Sequence, residues 1–278
     1  MNDELPTIID AAGIERKLGA IEPPPGLQSA FTLFEDWVPL LTDDQIRDIF
    51  ANGPKTGRDV FDESWICNQR QFGSCNGWAS AKALEAALYR KGIRPRVPLS
   101  GSSVYARVNG GRDNGSVPEH AMVAMQTYGA VPEGPSRVDE IFMRHYSEDD
   151  WRTALRYRAG ECYTTRSRQA FLSGIALGFD GVVAVHAGNR FMRVDSDGVA
   201  GADSGRGNHA VRVDGGRVLG NRILLDSPGS WDVTYGVRGR AFLEWERHLA
   251  QPSGTFAFYL IRTAADDPQG TTPPEVSE

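Results

Sequence analysis

The chain has 278 residues, a formal net charge of −6, 40% hydrophobic and 24% charged residues, a balance typical of a globular protein. An acidic chain has no electrostatic basis for binding nucleic acid or an anionic membrane surface. The start, Met1-Asn2-Asp3-Glu4, lacks the basic-then-apolar pattern of a signal peptide. No apolar run approaches the roughly 18 residues of a membrane span. We therefore expect neither nucleic acid nor a membrane as a partner.

The cysteines are three in number, Cys67, Cys75 and Cys162, and none of their spacings is that of a metal site such as Cys-x-x-Cys. An odd count without a disulfide framework favours a reducing, cytoplasmic location. We expect neither a metal nor an organic cofactor.

Residues 1–58 predict an N-terminal arm. Pro23-Pro24-Pro25-Gly26 is typical of a stiff, extended spacer, and the capping box Thr42-Asp43-Asp44-Gln45 predicts a short helix to about Ala51. The arm has a few apolar anchors that must bury against the rest of the chain or a partner, namely Phe31, Leu33, Phe34 and Trp37. We interpret the arm as a docking or regulatory element, and favour docking over inhibition because no propeptide signature is visible.

Residues 59–263 predict an α+β domain. Apolar periodicity indicates a helix from Cys75 to about Arg90, a second from the capping box Ser116-Val117-Pro118-Glu119 to Gly129, and a third over 167–178. The period then changes to that of strands, at 182–185, 209–213, 222–225 and 256–260. Helices first and strands later predict two lobes. Residues 264–278, rich in Pro and acidic residues, predict a flexible tail that a partner could hold.

The candidate chemistry centres on Cys75, which stands at the start of a predicted helix. Free N–H groups and the helix dipole stabilise a thiolate at that position. Gln69 lies six residues earlier and could donate to the oxyanion of a tetrahedral intermediate. His209, in Asn-His-Ala-Val, could act as the base, and Asp226, in Asp-Ser-Pro-Gly, could orient its ring. Asp-Ser-Pro-Gly is equally good turn sequence.

These motifs resemble the papain-like cysteine peptidases, in which Asn-Gln precedes Gly-Ser-Cys and Asn-His-Ala precedes Asn-Ser-Trp-Gly. The resemblance covers about residues 60–262. It implies a helical lobe with Cys75, an antiparallel β lobe with His209 and Asp226, and an active-site groove between them. Phe72 stands where secreted members carry a disulfide cysteine, which agrees with a cytoplasmic protein. Asp226 replaces the family asparagine, and Pro228 replaces the tryptophan that normally covers the histidine contact, a place that Trp231 could fill.

The resemblance implies hydrolysis of peptide bonds in a polypeptide substrate by Cys75, His209, Asp226 and Gln69. It also implies that Cys75 is alkylated at pH 6 far faster than Cys67 or Cys162. Two alternatives stay open. The chain could be an assembly component, for example in a phage virion, held through its arm and tail and with weak or lost activity. It could also be a cell-wall peptide amidase using the same Cys-His chemistry.

Overall fold

The structure is a computed structural model that describes residues 4–10, 12–24, 27–134, 137–249 and 258–262. Its α-helices are α1 (Asp43–Asn52), α2 (Cys75–Arg90), α3 (Gly101–Val108), α4 (Pro118–Tyr128), α5 (Glu148–Ala154) and α6 (Arg168–Ala176). Its strands are β1 (Thr7–Ile9), β2 (Glu15–Lys17), β3 (Cys162–Thr164), β4 (Asp180–Val185), β5 (His209–Val213), β6 (Gly215–Leu219), β7 (Arg222–Pro228), β8 (Arg240–Glu244) and β9 (Phe258–Ile261).

The helical lobe is built around α2. Small residues recur along this helix and let α3 and α4 approach closely; a Cβ on Gly77 would lie 2.2 Å from the carbonyl oxygen of Gly101 on α3. Nearly every residue of α2 is buried, so its small and apolar residues lie all around the helix rather than on one face. The Cys75 end of α2 faces the second lobe, so the helix start lies at the boundary between the lobes.

The second lobe is antiparallel. One sheet has the order β3-β9-β4-β5, and a second has the order β6-β7-β8. Side chains alternate across β5: Ala210 packs with Cys75 in the helical-lobe core, whereas Val211 and Val213 pack in the core of the β lobe. This strand therefore joins the two cores, and its first residue, His209, lies at their edge.

Most of the helices and strands predicted from the sequence are confirmed. The Thr42–Gln45 capping box is present, α2 spans Cys75–Arg90, and β5 spans His209–Val213. The second predicted capping box is wrong in its contacts. The α4 helix starts at Pro118, but the Glu119 carboxylate accepts hydrogen bonds from Ala30 N–H and the Ser29 hydroxyl rather than capping its own helix. The predicted tail, residues 264–278, lies outside the described residues.

The second part of the arm belongs to the β-lobe core. Phe34 is fully buried against Tyr163 and Phe179, and Ile46 of α1 is equally buried. Phe31 packs edge-on to Tyr259. Trp37 is 71% exposed, so the prediction that it anchors the arm is wrong. We call residues 27–58 the strap, because they bind across the β lobe and contribute to its core.

Phe34→Ala should lower the free energy of unfolding by about 3–5 kcal/mol, because it removes a fully buried ring from a close-packed core. Trp37→Ala is the control and should change it by less than about 0.5 kcal/mol, since that ring is mostly exposed. Chemical denaturation of both variants measures the difference. Equal effects would mean that the strap does not share the core.

Candidate active site

Cys75 is the first residue of α2 and is fully buried. Burial raises the pKa of its thiol to about 11, against which backbone N–H groups of Ala210, Gly19, Asn76 and Cys75 itself act by stabilising the thiolate. The N–H groups of Cys75 and Asn76 are those expected of a helix start, but the effect of desolvation on the pKa is larger. Burial raises the pKa of Cys67 and Cys162 as well, to about 12 each. Burial therefore favours the neutral thiol of Cys75 in this conformation. The faster alkylation of Cys75 at pH 6 stays a prediction.

The side-chain amide of Gln69 lies between the loop that leads into α2 and the N-terminal arm. The amide is fully buried; its Nε2 donates to the carbonyl oxygens of Phe72 (2.7 Å) and Lys17 (3.2 Å). The Ser230 hydroxyl donates to its Oε1 at 2.5 Å. These bonds fix the orientation of the amide, with Nε2 directed at the Phe72 and Lys17 carbonyl oxygens and Oε1 at the Ser230 hydroxyl. A peptide carbonyl already occupies the donor that the sequence assigned to an oxyanion.

His209 is fully buried at the start of β5, with its ring stacked on Trp231 at a centroid separation of 4.1 Å and an angle of 19°. Neither ring nitrogen has a hydrogen-bond partner. Burial alone lowers the pKa of His209 to about 3, so the ring is neutral at pH 7. A buried imidazole without partners is costly, and such groups are found at functional sites. The tryptophan expected to cover the histidine is therefore Trp231.

Asp226 lies elsewhere in the β lobe, and the prediction that it orients His209 is contradicted by its contacts. Its carboxylate accepts hydrogen bonds from the backbone N–H of Arg58 (2.7 Å) and from the Arg58 guanidinium (3.1 Å). Arg240 forms a second ion pair with it at 3.3 Å. The physical reason is register: Asp226 pairs with Gly215 and Phe242 in the β6-β7-β8 sheet, where the strap delivers Arg58. Asp226 holds the strap.

The first part of the arm crosses the groove over Cys75. We call residues 15–21 the cleft segment. Ala20 N–H donates to the carbonyl of Asn208 (3.0 Å), next to His209, and Gly19 C=O accepts from Ser116 N–H (2.9 Å). Ile21 N–H donates back to Ser116 C=O at 3.0 Å. The segment is thus hydrogen-bonded to walls contributed by both lobes, with Gly19 N–H beside the thiol.

Glycine is required where the cleft segment passes the nucleophile. A Cβ on Gly19 would lie 1.8 Å from the carbonyl oxygen of Gly73, and a Cβ on Gly115 would lie 2.5 Å from the carbonyl oxygen of Gly19. Three glycine backbones therefore meet at van der Waals contact. The backbone of the cleft segment therefore lies in the groove beside Cys75. The docking role expected of residues 1–58 stays a prediction.

Sequence reasoning assigned no role in the site to Asn208, Ser116, Ser230 and Asp113. Asn208 and Ser116 contribute through backbone hydrogen bonds to the cleft segment. Ser230 and Asp113 contribute through side chains that bind Gln69 and Lys17, which are distant in sequence. Among the described residues no group of three or more His, Cys, Asp or Glu side chains is placed to hold a metal ion. In the same part of the chain, each helix is too short or too polar to cross a membrane.

Comparison with solved structures shows that the chain has a papain-like fold. It is similar to xylellain, a cysteine protease from Xylella fastidiosa (TM-score 0.67, 16% identity, 89% of this chain and 96% of that one). It is also similar to digestive procathepsin L 3 of Tenebrio molitor larval midgut (0.60, 14%, 86% and 75%). A third similar structure is procathepsin B S9 from Trypanosoma congolense (0.59, 15%, 89% and 86%). No protein-family model and no curated protein matches the chain.

Proposed function

We propose that this papain-like fold carries a cysteine peptidase whose own cleft segment holds it inactive. The observation that carries the proposal is the joint position of three groups: a thiol at the start of a helix, a buried amide aimed at a groove-bound carbonyl, and a buried histidine without partners. The solved structures with this fold are named as cysteine proteases or as pro-forms of cathepsins, which supports the same reaction class.

In the proposed reaction the Cys75 thiolate attacks the carbonyl carbon of a substrate peptide bond, after His209 has taken its proton. Gln69 Nε2–H and the Cys75 backbone N–H stabilise the oxyanion that forms. His209 then gives its proton to the departing amine, leaving a thioester. Water, deprotonated by His209, hydrolyses the thioester and restores the thiol. Trp231 fixes the ring plane of His209 by stacking, a role that the sequence assigned to a carboxylate.

The cleft segment prevents this reaction in two ways. It occupies the groove beside Cys75, where burial raises the pKa of the thiol to about 11 and so keeps the thiol neutral at pH 7. It also presents an N–H, that of Gly19, to the sulfur, rather than a carbonyl carbon. A peptide held in this way is an inhibitor. Displacing it would admit water and restore a pKa for Cys75 at which a thiolate can form.

Gln69→Ala should lower kcat by about 10²–10³-fold, because one oxyanion donor is lost, with little change in KM. A peptide library first identifies a sequence that the protein cleaves. A reporter peptide with that sequence then gives kcat and KM, measured on protein in which the cleft segment is displaced. Cys75→Ala should abolish cleavage and leave the fold intact. Gln126→Ala is the matched control, since that side chain bonds an exposed carbonyl far from the groove. A fall of less than about threefold for Gln69→Ala would remove it from the site.

The same measurements separate the alternatives. Cleavage of peptidoglycan stem peptides, with proteins left intact, would favour a cell-wall amidase. A Cys75 that stays unreactive after the cleft segment is displaced would favour an assembly component without activity, for example in a virion. Cleavage of ordinary peptides that depends on Cys75 and Gln69 supports the peptidase.

A further inference from the structure

One side chain of the cleft segment, that of Lys17, indicates which substrates the groove would select. The backbone carbonyl oxygen of Lys17 accepts a hydrogen bond from Gln69 Nε2 (3.2 Å), and its ammonium donates one to Asp113 Oδ2 (2.7 Å). A single lysine therefore spans from the candidate oxyanion donor to a carboxylate. In a substrate, the carbonyl that reaches this donor belongs to the residue immediately before the scissile bond. The side chain of that residue would be directed at Asp113.

Asp113 is built into the groove wall before any ligand arrives. Its Oδ1 accepts hydrogen bonds from Gly73 N–H (2.9 Å), two residues before the nucleophile, and from the Tyr105 hydroxyl (3.0 Å). Tyr105 is fully buried, and its oxygen accepts from Gly115 N–H at 2.9 Å. These bonds leave Oδ2 directed at the groove, where it accepts the hydrogen bond from the Lys17 ammonium. The carboxylate is 15% exposed, so it is partly shielded from water.

We infer that Asp113 is a specificity-determining residue that selects substrates with lysine or arginine immediately before the scissile bond. The inference rests on the proposed function for the reaction itself, and adds the class of substrate. The physical reason is that a cationic side chain satisfies Oδ2 with a charge-assisted hydrogen bond. A neutral side chain would leave a partly buried carboxylate without that partner, and an acidic one would be repelled by it.

The test uses the full chain with Gly19→Val, which displaces the cleft segment, and peptides that differ only in the residue before the reporter: Lys, Arg, Met or Glu. We expect kcat/KM for Lys and Arg to exceed that for Met by about 10–100-fold, the usual range for a hydrogen bond to a charged group. Asp113→Asn should bring the ratio of kcat/KM for Lys over Met close to one and raise KM for the Lys and Arg peptides. Asp149→Asn, which removes an equal charge from an exposed position, should change neither.

A second measurement does not depend on hydrolysis. Peptide acids ending in Lys or Met are tested for protection of Cys75 against iodoacetamide in the same variants. Stronger protection by the Lys peptide, lost in Asp113→Asn, supports the specificity even if no peptide is cleaved, and in that case only the proposed function fails. Equal cleavage and equal protection by Lys and Met peptides would overturn the inference while leaving a peptidase in place.

Discussion

Gly19→Val should convert the closed groove to an open one and raise the alkylation rate of Cys75 by about 5–150-fold. The added Cβ would lie 1.8 Å from the Gly73 carbonyl oxygen, which belongs to a backbone held on both sides. Overpacking destabilises the position of the cleft segment in the groove by about 1–3 kcal/mol. A free-energy change of that size lowers the equilibrium constant for the closed groove by about 5–150-fold. The measurement is the rate of iodoacetamide labelling of Cys75, read by mass spectrometry of the digested protein.

The pH dependence of labelling gives the same test a second readout. In the wild type, the pKa of Cys75 near 11 means that the thiolate forms only as pH rises toward that value. Labelling should therefore be slow through neutral pH and increase at high pH. In Gly19→Val, water reaches the thiol, its pKa falls, and labelling should be measurable near neutral pH. Gly134→Val is the control, since a Cβ there meets only an arginine side chain at 3.5 Å. Identical profiles for all three proteins would show that the segment does not block Cys75.

Asp226→Ala should destabilise the fold by about 3 kcal/mol, because it leaves the buried Arg240 and the strap residue Arg58 without a shared carboxylate. Arg240 keeps Asp214 at 3.0 Å, which is why the expected loss is at the lower end of the range for broken buried ion pairs. Urea denaturation measures the change. Asp149→Ala, on an exposed ion pair, is the control and should stay within about 0.5 kcal/mol.

A second substitution at the same position, Asp226→Asn, separates a structural role from a catalytic one. With the groove opened by Gly19→Val, Asp226→Asn should keep the kcat of the parent and its pH profile, because Asp226 does not touch His209. A large loss of kcat with unchanged stability would restore the sequence-based assignment of Asp226 as the residue that orients His209.

The sequence by itself determined the local parts of the candidate site. The helix from Cys75, the Gln69 spacing and the strand that starts at His209 are each set by a short run of residues. Apolar periodicity and helix-start chemistry act over such runs. The two-lobed α+β fold followed from the order of those elements and from the resemblance they carry, and the structure confirms both.

Only the tertiary structure decided which distant groups meet. Asp226 is bound by Arg58, 168 positions away, and no local pattern specifies a partner at that distance. The cleft segment is held over Cys75 mainly by backbone hydrogen bonds, which carry no side-chain signature, and by the close approach of Gly19, Gly73 and Gly115. Glycine in a sequence indicates many kinds of turn and contact. Its meaning here, a backbone that fits over a nucleophile, exists only once the chain has folded.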